Sequence, residues 1–127
     1  MKIAVVLGSN SLEKVEFAAM TAFLASSMGD ETEIFATMDG VQAFRKVPLI
    51  SSSGDSSRAI KENENGGRYG EYLAKAKATG RVKVIACSMA SKLFNLRKED
   101  YADVVDSIGG LTTFLAQNEN SKIMSIW

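Results

Sequence analysis

The stretch at residues 2–7, KIAVVL, constrains this chain most. Ile3, Ala4, Val5, Val6 and Leu7 are apolar without a break, whereas a strand with one face in water alternates apolar and polar side chains. An unbroken run suits a strand covered on both faces, the situation of parallel strands sandwiched between helices. The run ends at Gly8-Ser9-Asn10-Ser11, a turn composition. A helical pattern follows: Val15, Ala18, Ala19, Ala22, Phe23 and Ser26 recur at steps of three and four. Ser11 stands where an N-cap belongs, and Met28-Gly29 closes the helix with a glycine suited to a left-handed cap.

The same alternation continues. Residues 32–38, TEIFATM, read as a second strand, followed by a short helix from Asp39 or Gly40 through Gln42 and Phe44 that Pro48 stops. Residues 47–67 are polar and rich in Ser, Asn and Gly, and read as a long loop with a turn of helix near 56–62. Residues 68–79 return to helix, capped by Gly80. Residues 82–86, VKVIA, make a third strand that ends in Cys87. Short helices are predicted over 88–94 and 98–106, then a short strand at Ile108, a helix over 111–118 and a last strand over 122–127. Strands joined through helices imply right-handed crossovers, hence an α/β fold with a mainly parallel sheet and helices on both faces. The length of 127 residues fits one domain, 1–127, and neither an internal repeat nor a linker interrupts it. Ligands in such folds bind beyond the carboxyl ends of the strands, which singles out the Gly8–Ser11 turn and the segment Cys87-Ser88-Met89.

Composition removes whole classes of chemistry. The chain has no histidine, so a Ser-His-Asp triad, a Cys-His dyad and a His-ligated zinc or haem are excluded within it. One cysteine allows neither an internal disulfide nor a C-x-x-C pair. Fifteen basic and fifteen acidic residues cancel, so no broad attraction to nucleic acid or to an anionic membrane is expected. No apolar run approaches the roughly 20 residues of a membrane span. Residues 2–7 are too short for a signal-peptide core, so a cytoplasmic location is expected. No metal or cofactor motif is visible: G-x-G-x-x-G and the P-loop are absent, and a flavin or nucleotide site has no fingerprint to rest on.

Cys87 is the one strong nucleophile candidate. Free cysteine is often mere core filling. At the end of a parallel strand, however, a following helix start offers unpaired N–H groups that favour a thiolate, and Lys92 or Lys14 could assist. Ser88 and Met89 follow directly as substrate-binding candidates, and Ser9 and Asn10 could add a small anion cradle of backbone N–H groups. Other features read blandly. Gly66-Gly67-Arg68-Tyr69-Gly70 starts a helix, and Asp100, Asp103 and Asp106 make one solvated helix face. Tyr69/Tyr72 and Phe17/Phe23 are core or interface, and Trp127 caps a strand or is buried at a subunit contact.

Three stretches together resemble the DsrE/DsrF/DsrH-like family, in particular its DsrE2-like branch, sometimes labelled peroxiredoxin. They are the opening KIAVVLGSNSLEKVEFAAMTAFLASSMGDETEIFATMDGV, the middle VKVIACSMASKLFNLRKEDYADVV and the closing SIGGLTTFLAQNENSKIMSIW. The resemblance covers nearly the whole chain, least firmly residues 47–67. It implies a flavodoxin-like or related α/β fold, a homo-oligomer (trimer or hexamer), and sulfur trafficking in which Cys87 takes up sulfane sulfur as a persulfide or thiosulfonate. With no second cysteine here, an external thiol, from a protein or a small molecule, must remove the sulfur. Peroxiredoxin chemistry has no support, because no Thr-x-x-Cys motif is present. The competing expectation is a non-catalytic oligomeric binding or assembly module in which Cys87 only packs.

Overall fold

The computed structural model describes residues 1–127. Five strands, β1 (Lys2–Leu7), β2 (Glu31–Ala36), β3 (Val82–Cys87), β4 (Ser107–Gly109) and β5 (Lys122–Ile126), form one sheet in the order β4-β3-β2-β1-β5. Every neighbouring pair is parallel. The helices are α1 (Leu12–Ser27), α2 (Asp55–Asn63), α3 (Tyr69–Ala78), α4 (Ser88–Leu93) and α5 (Leu111–Gln117), with 3-10 turns at Met38–Phe44 and Lys98–Asp100.

Strand order decides which face each helix covers. From β1 to β4 the chain steps steadily toward one edge, so right-handed crossovers leave α1 and α3 on a common face. It then crosses back to β5 at the opposite edge, which puts α5 on the other face. The contacts agree. Phe114 of α5 stacks on Phe35 of β2 at 4.6 Å between ring centroids, and Asn118 Nδ2 donates to Glu33 at 3.0 Å. Glu33 and Phe35 share one side of β2, so Thr32, Ile34 and Ala36, all buried, face α1 and α3. Phe23 of α1 stacks on Tyr72 of α3 at 5.9 Å. Lys2 Nζ lies 3.2 Å from the buried Glu33 carboxylate and compensates its charge.

The unbroken apolar runs appear as buried central strands: Ala4, Val5 and Leu7 of β1 and Ile34, Phe35 and Ala36 of β2 belong to one core. Gly29 and Gly80 end α1 and α3 with φ of 95° and 74°. Two expectations, at Ser11 and over 98–106, are corrected, and a third, the turn near 56–62, is met and extended. Ser11 occupies the N-cap position of α1, but its hydroxyl caps no helix N–H; instead the Ser11 backbone bridges Ser51. The turn expected near 56–62 is a nine-residue helix, α2, tied to α1 where Ser57 Oγ donates to Glu13.

The helix expected over 98–106 is only the three-residue turn Lys98–Asp100. Its backbone groups are claimed elsewhere: Lys46 N–H donates to the Asp100 carbonyl, Ala102 N–H donates to the Phe44 carbonyl, and Tyr101 bridges Arg45 in extended conformation. Asp100, Asp103 and Asp106 therefore do not share a helix face. Asp106 instead accepts from Val84 N–H at 2.7 Å and from Lys77 Nζ, pinning β3 and α3 together. No helix is long and apolar enough to cross a membrane.

Candidate functional site

β3 carries Cys87 to the carboxyl end of the sheet. Cys87 shares its side of β3 with Ile85, which sits beside Phe35, so its side chain belongs to the α5 face. There it lines a cavity of about 220 Å³. The other walls come from the ends of neighbouring elements: Val6 of β1, Phe35 and Thr37 at the end of β2, Met38 beyond it, Ser88 and Met89 of α4, Leu111 of α5, and Trp127 after β5. None of these side chains carries a formal charge. A larger groove of about 540 Å³ runs between α5 and the β3–β4 edge, but it is open and polar and holds no cysteine. The smaller cavity is the candidate site because it alone offers a thiol.

Cys87 is 3% exposed, so reagents reach it only through the cavity. Met38, Met89, Leu111 and Trp127 around it are 38%, 51%, 54% and 59% exposed and form an apolar rim. Cys87 is the N-cap residue of α4, at φ −58° and ψ 127°. The first-turn N–H groups of an α-helix lack intrahelical partners, and here they follow the sulfur-bearing residue directly. α4 has only six residues, so its dipole is small and these local N–H groups matter more.

The backbone under Cys87 is locked from behind. Ser91 Oγ donates to the Cys87 carbonyl at 2.7 Å and lies 2.6 Å from Tyr101 Oη. A serine hydroxyl has one proton, so Tyr101 must donate to Ser91. Ser91 and Tyr101 are 2% and 1% exposed, which makes this a buried relay from phenol to hydroxyl to carbonyl. Burial, before any other cause, raises the Tyr101 pKa and keeps the phenol protonated as the donor of this relay.

The structure brings Ser88 and Met89 to Cys87 but places Ser9 and Asn10 elsewhere. β1 and β3 are separated by β2, so the two strand ends are two spacings, about 10 Å, apart. Ser9 Oγ accepts from Ser11 N–H, and Asn10 Nδ2 donates to the Leu49 carbonyl. Neither residue lines the cavity. The room beside Gly8 is taken by Trp127: a Cβ on Gly8 would lie 2.1 Å from Trp127 Cε3. Lys14 Nζ donates to the Trp127 carbonyl, so Lys14 helps hold the tryptophan in place.

Sequence reasoning missed Met38 and Trp127. The rule that ligands gather at strand carboxyl ends could have found both, since they follow β2 and β5, but it was applied only to the first and third strands. Met38 also has φ of 48°, a left-handed conformation that side chains rarely adopt. It is fixed by neighbours: Gly40 N–H donates to the Thr37 carbonyl, and Thr37 N–H to that of Leu7. No three His, Cys, Asp or Glu residues cluster closely enough to hold a metal.

The family model described as DsrE/DsrF-like matches residues 1–124. This chain belongs to the DsrE/DsrF-like family. No curated protein matches it in sequence. Solved structures share the family fold at low identity. A protein of unknown function, MTH1491 from Methanobacterium thermoautotrophicum, has a TM-score of 0.68 and 12% identity, covering 98% of this chain and 97% of its own. The ychN protein from E. coli has a TM-score of 0.65 and 16% identity, over 98% and 97%. BT1422 from Bacteroides thetaiotaomicron, a conserved protein of unknown function, has a TM-score of 0.58 and 14% identity, over 98% and 94%. At such identities the likeness is one of fold. The DsrE-like sheet thus stands on both family and structure, and it is this sheet that presents Cys87 at its carboxyl end.

Proposed function

We propose that this DsrE/DsrF-like chain is a sulfur carrier, with sulfurtransferase-like chemistry at Cys87. The thiolate attacks the outer sulfur of a persulfide or polysulfide donor. The donor's S–S bond breaks, its thiolate leaves, and Cys87 becomes a persulfide; with tetrathionate the central S–S bond breaks, thiosulfate leaves, and Cys87 carries a thiosulfonate. An external thiolate then attacks the transferred sulfane sulfur, the bond to Cys87 Sγ breaks, and the Cys87 thiolate is freed. Ser88, Met89 and the first-turn N–H groups of α4 hold the adduct. Ser9 and Asn10 are left out of this reading, because Asn10 binds the backbone at 49 and 51 and Ser9 Oγ accepts from Ser11 N–H. The observation that carries it is the chain's only thiol lining a cavity at the strand end. An apolar wall suits a sulfur adduct, and exchange depends on thiolate fraction and access. A homo-oligomer remains the proposed assembly.

The burial of Cys87 favours a second reading, a binding or assembly module with a packed thiol. Intact mass after incubation with thiosulfate, tetrathionate or polysulfide separates the two, with Cys87→Ala as control. A reducible sulfur adduct on the wild type alone is the carrier's signature. Absence of any adduct, with a thiol that alkylates only on unfolding, would leave the module.

A further inference from the structure

Besides Cys87, two more sulfur-bearing residues line the 220 Å³ cavity. Met38 and Met89 line it together with the cysteine, and the indole of Trp127 forms another wall. We propose that this cavity is a site for a soft monovalent cation, Cu(I) or Ag(I), held by the Cys87 thiolate and the thioethers of Met38 and Met89. The proposal shares Cys87 with the carrier reading but does not depend on it.

Ligand type sets the metal class. One thiolate with two thioethers selects Cu(I)-like ions: calcium and magnesium want oxygen donors, and zinc wants several thiolates, imidazoles or carboxylates, of which this cavity has a single thiolate. The chain has no histidine, and no carboxylate lines this cavity. Charge sets the valence. A monovalent cation on one thiolate is a neutral unit, which an uncharged apolar pocket tolerates; a divalent ion would leave a buried positive charge without a partner. Binding forms a metal–sulfur bond, releases the thiol proton to solvent, and involves no electron transfer if copper is supplied as Cu(I).

The methionines are suited to close on such an ion. Both are part-exposed at the rim, with unbranched, rotatable side chains. Met38 is held there by a backbone at φ 48°, a conformation with a cost that its neighbours sustain.

The full-length chain, kept reduced, is titrated with Ag(I) while the emission of Trp127, its only tryptophan, is followed. Cu(I) affinity is measured in parallel against a chromogenic Cu(I) chelator. Emission should change to an endpoint near one equivalent, and Cys87→Ser should abolish the response. Met38→Leu and Met89→Leu keep volume and remove only the thioether. Each should weaken Cu(I) binding by roughly tenfold or more. X-ray absorption on the Cu(I)-loaded wild type, which needs no variant, should show more than one sulfur neighbour. Equal affinity in the leucine variants, a single sulfur neighbour, or unchanged emission would reduce the site to a simple thiol adduct and overturn the proposal. Sulfur loading, read by mass on the metal-free protein, fails or succeeds independently.

Discussion

Replacing Ser91 with alanine removes the middle of the buried relay behind Cys87. Ser91 Oγ donates to the Cys87 carbonyl at 2.7 Å and meets Tyr101 Oη at 2.6 Å. Both residues are essentially without solvent contact, so water cannot replace the lost partner. Ser91→Ala strands the phenol O–H and takes a bond from the carbonyl, which should cost about 2–4 kcal/mol. Tyr101→Phe alone removes only the outer donor and should cost about 1 kcal/mol. Once Ser91 is gone, deleting the phenol oxygen removes a stranded group and so relieves part of the damage. The double variant should therefore fall short of the summed single costs by about 1–2 kcal/mol, within the range of coupled neighbours. Urea unfolding of all four proteins, with matching m-values, measures this. Additive losses would mean that the relay is not an energetic unit. The alkylation rate of Cys87, measured on the same proteins, should change in Ser91→Ala if the relay sets the thiol's position.

Further outcomes follow from other contacts. Gly8→Ala places a Cβ 2.1 Å from Trp127 Cε3, so the indole must move; its emission should shift and Cys87 alkylation should accelerate, and an unchanged spectrum would contradict the packing. Gly40→Ala is harsher, because its Cβ would lie 2.1 Å from the Leu7 carbonyl oxygen, which is backbone and cannot rotate away; a lowered melting temperature is expected, and a neutral result would refute that close approach. Glu16 has its pKa raised by burial foremost, with Glu64 adding to the rise and the Arg68 N–H opposing it. A carboxyl raised on folding stabilises fully below its unfolded value, and that contribution is lost as pH rises through the folded value. Glu16→Gln should therefore flatten the decline in stability above the ordinary carboxylate range of about 4.3, whereas an unchanged pH slope would refute the assignment. Glu13, lowered chiefly by the Ser57 hydrogen bond, acts with the opposite sign, so Ser57→Ala should reduce the loss of stability on acidification through Glu13's folded value. The readout for both is unfolding free energy across acidic pH.

Much of the fold was legible because its signals are local. The apolar runs Ile3–Leu7 of β1 and Val84–Ala86 of β3 and the helical spacing of α1 need only neighbouring residues to be read. The failures came where distant groups intervened. Residues 98–106 have a helical pattern, yet the carbonyl of Phe44 and the backbone of Arg45 and Lys46 claim that segment's hydrogen-bonding groups. The polar segment 47–67 showed only a turn of helix near 56–62, because its composition reads as loop; the full α2 forms where Ser57 docks on Glu13 of α1.

The same division holds for the site. Sequence alone determined a parallel α/β layout, one thiol, no histidine, and that thiol's place at a strand end, because strand and helix periods are written in adjacent side chains. Only tertiary structure decided what surrounds it. The order β4-β3-β2-β1-β5 sets Trp127 against Gly8, brings Met38 to Cys87, and leaves Ser9 and Asn10 apart from it. Strand order depends on pairings between segments far apart in the chain, such as Gly8 N–H donating to the Ile126 carbonyl, and no local period encodes them.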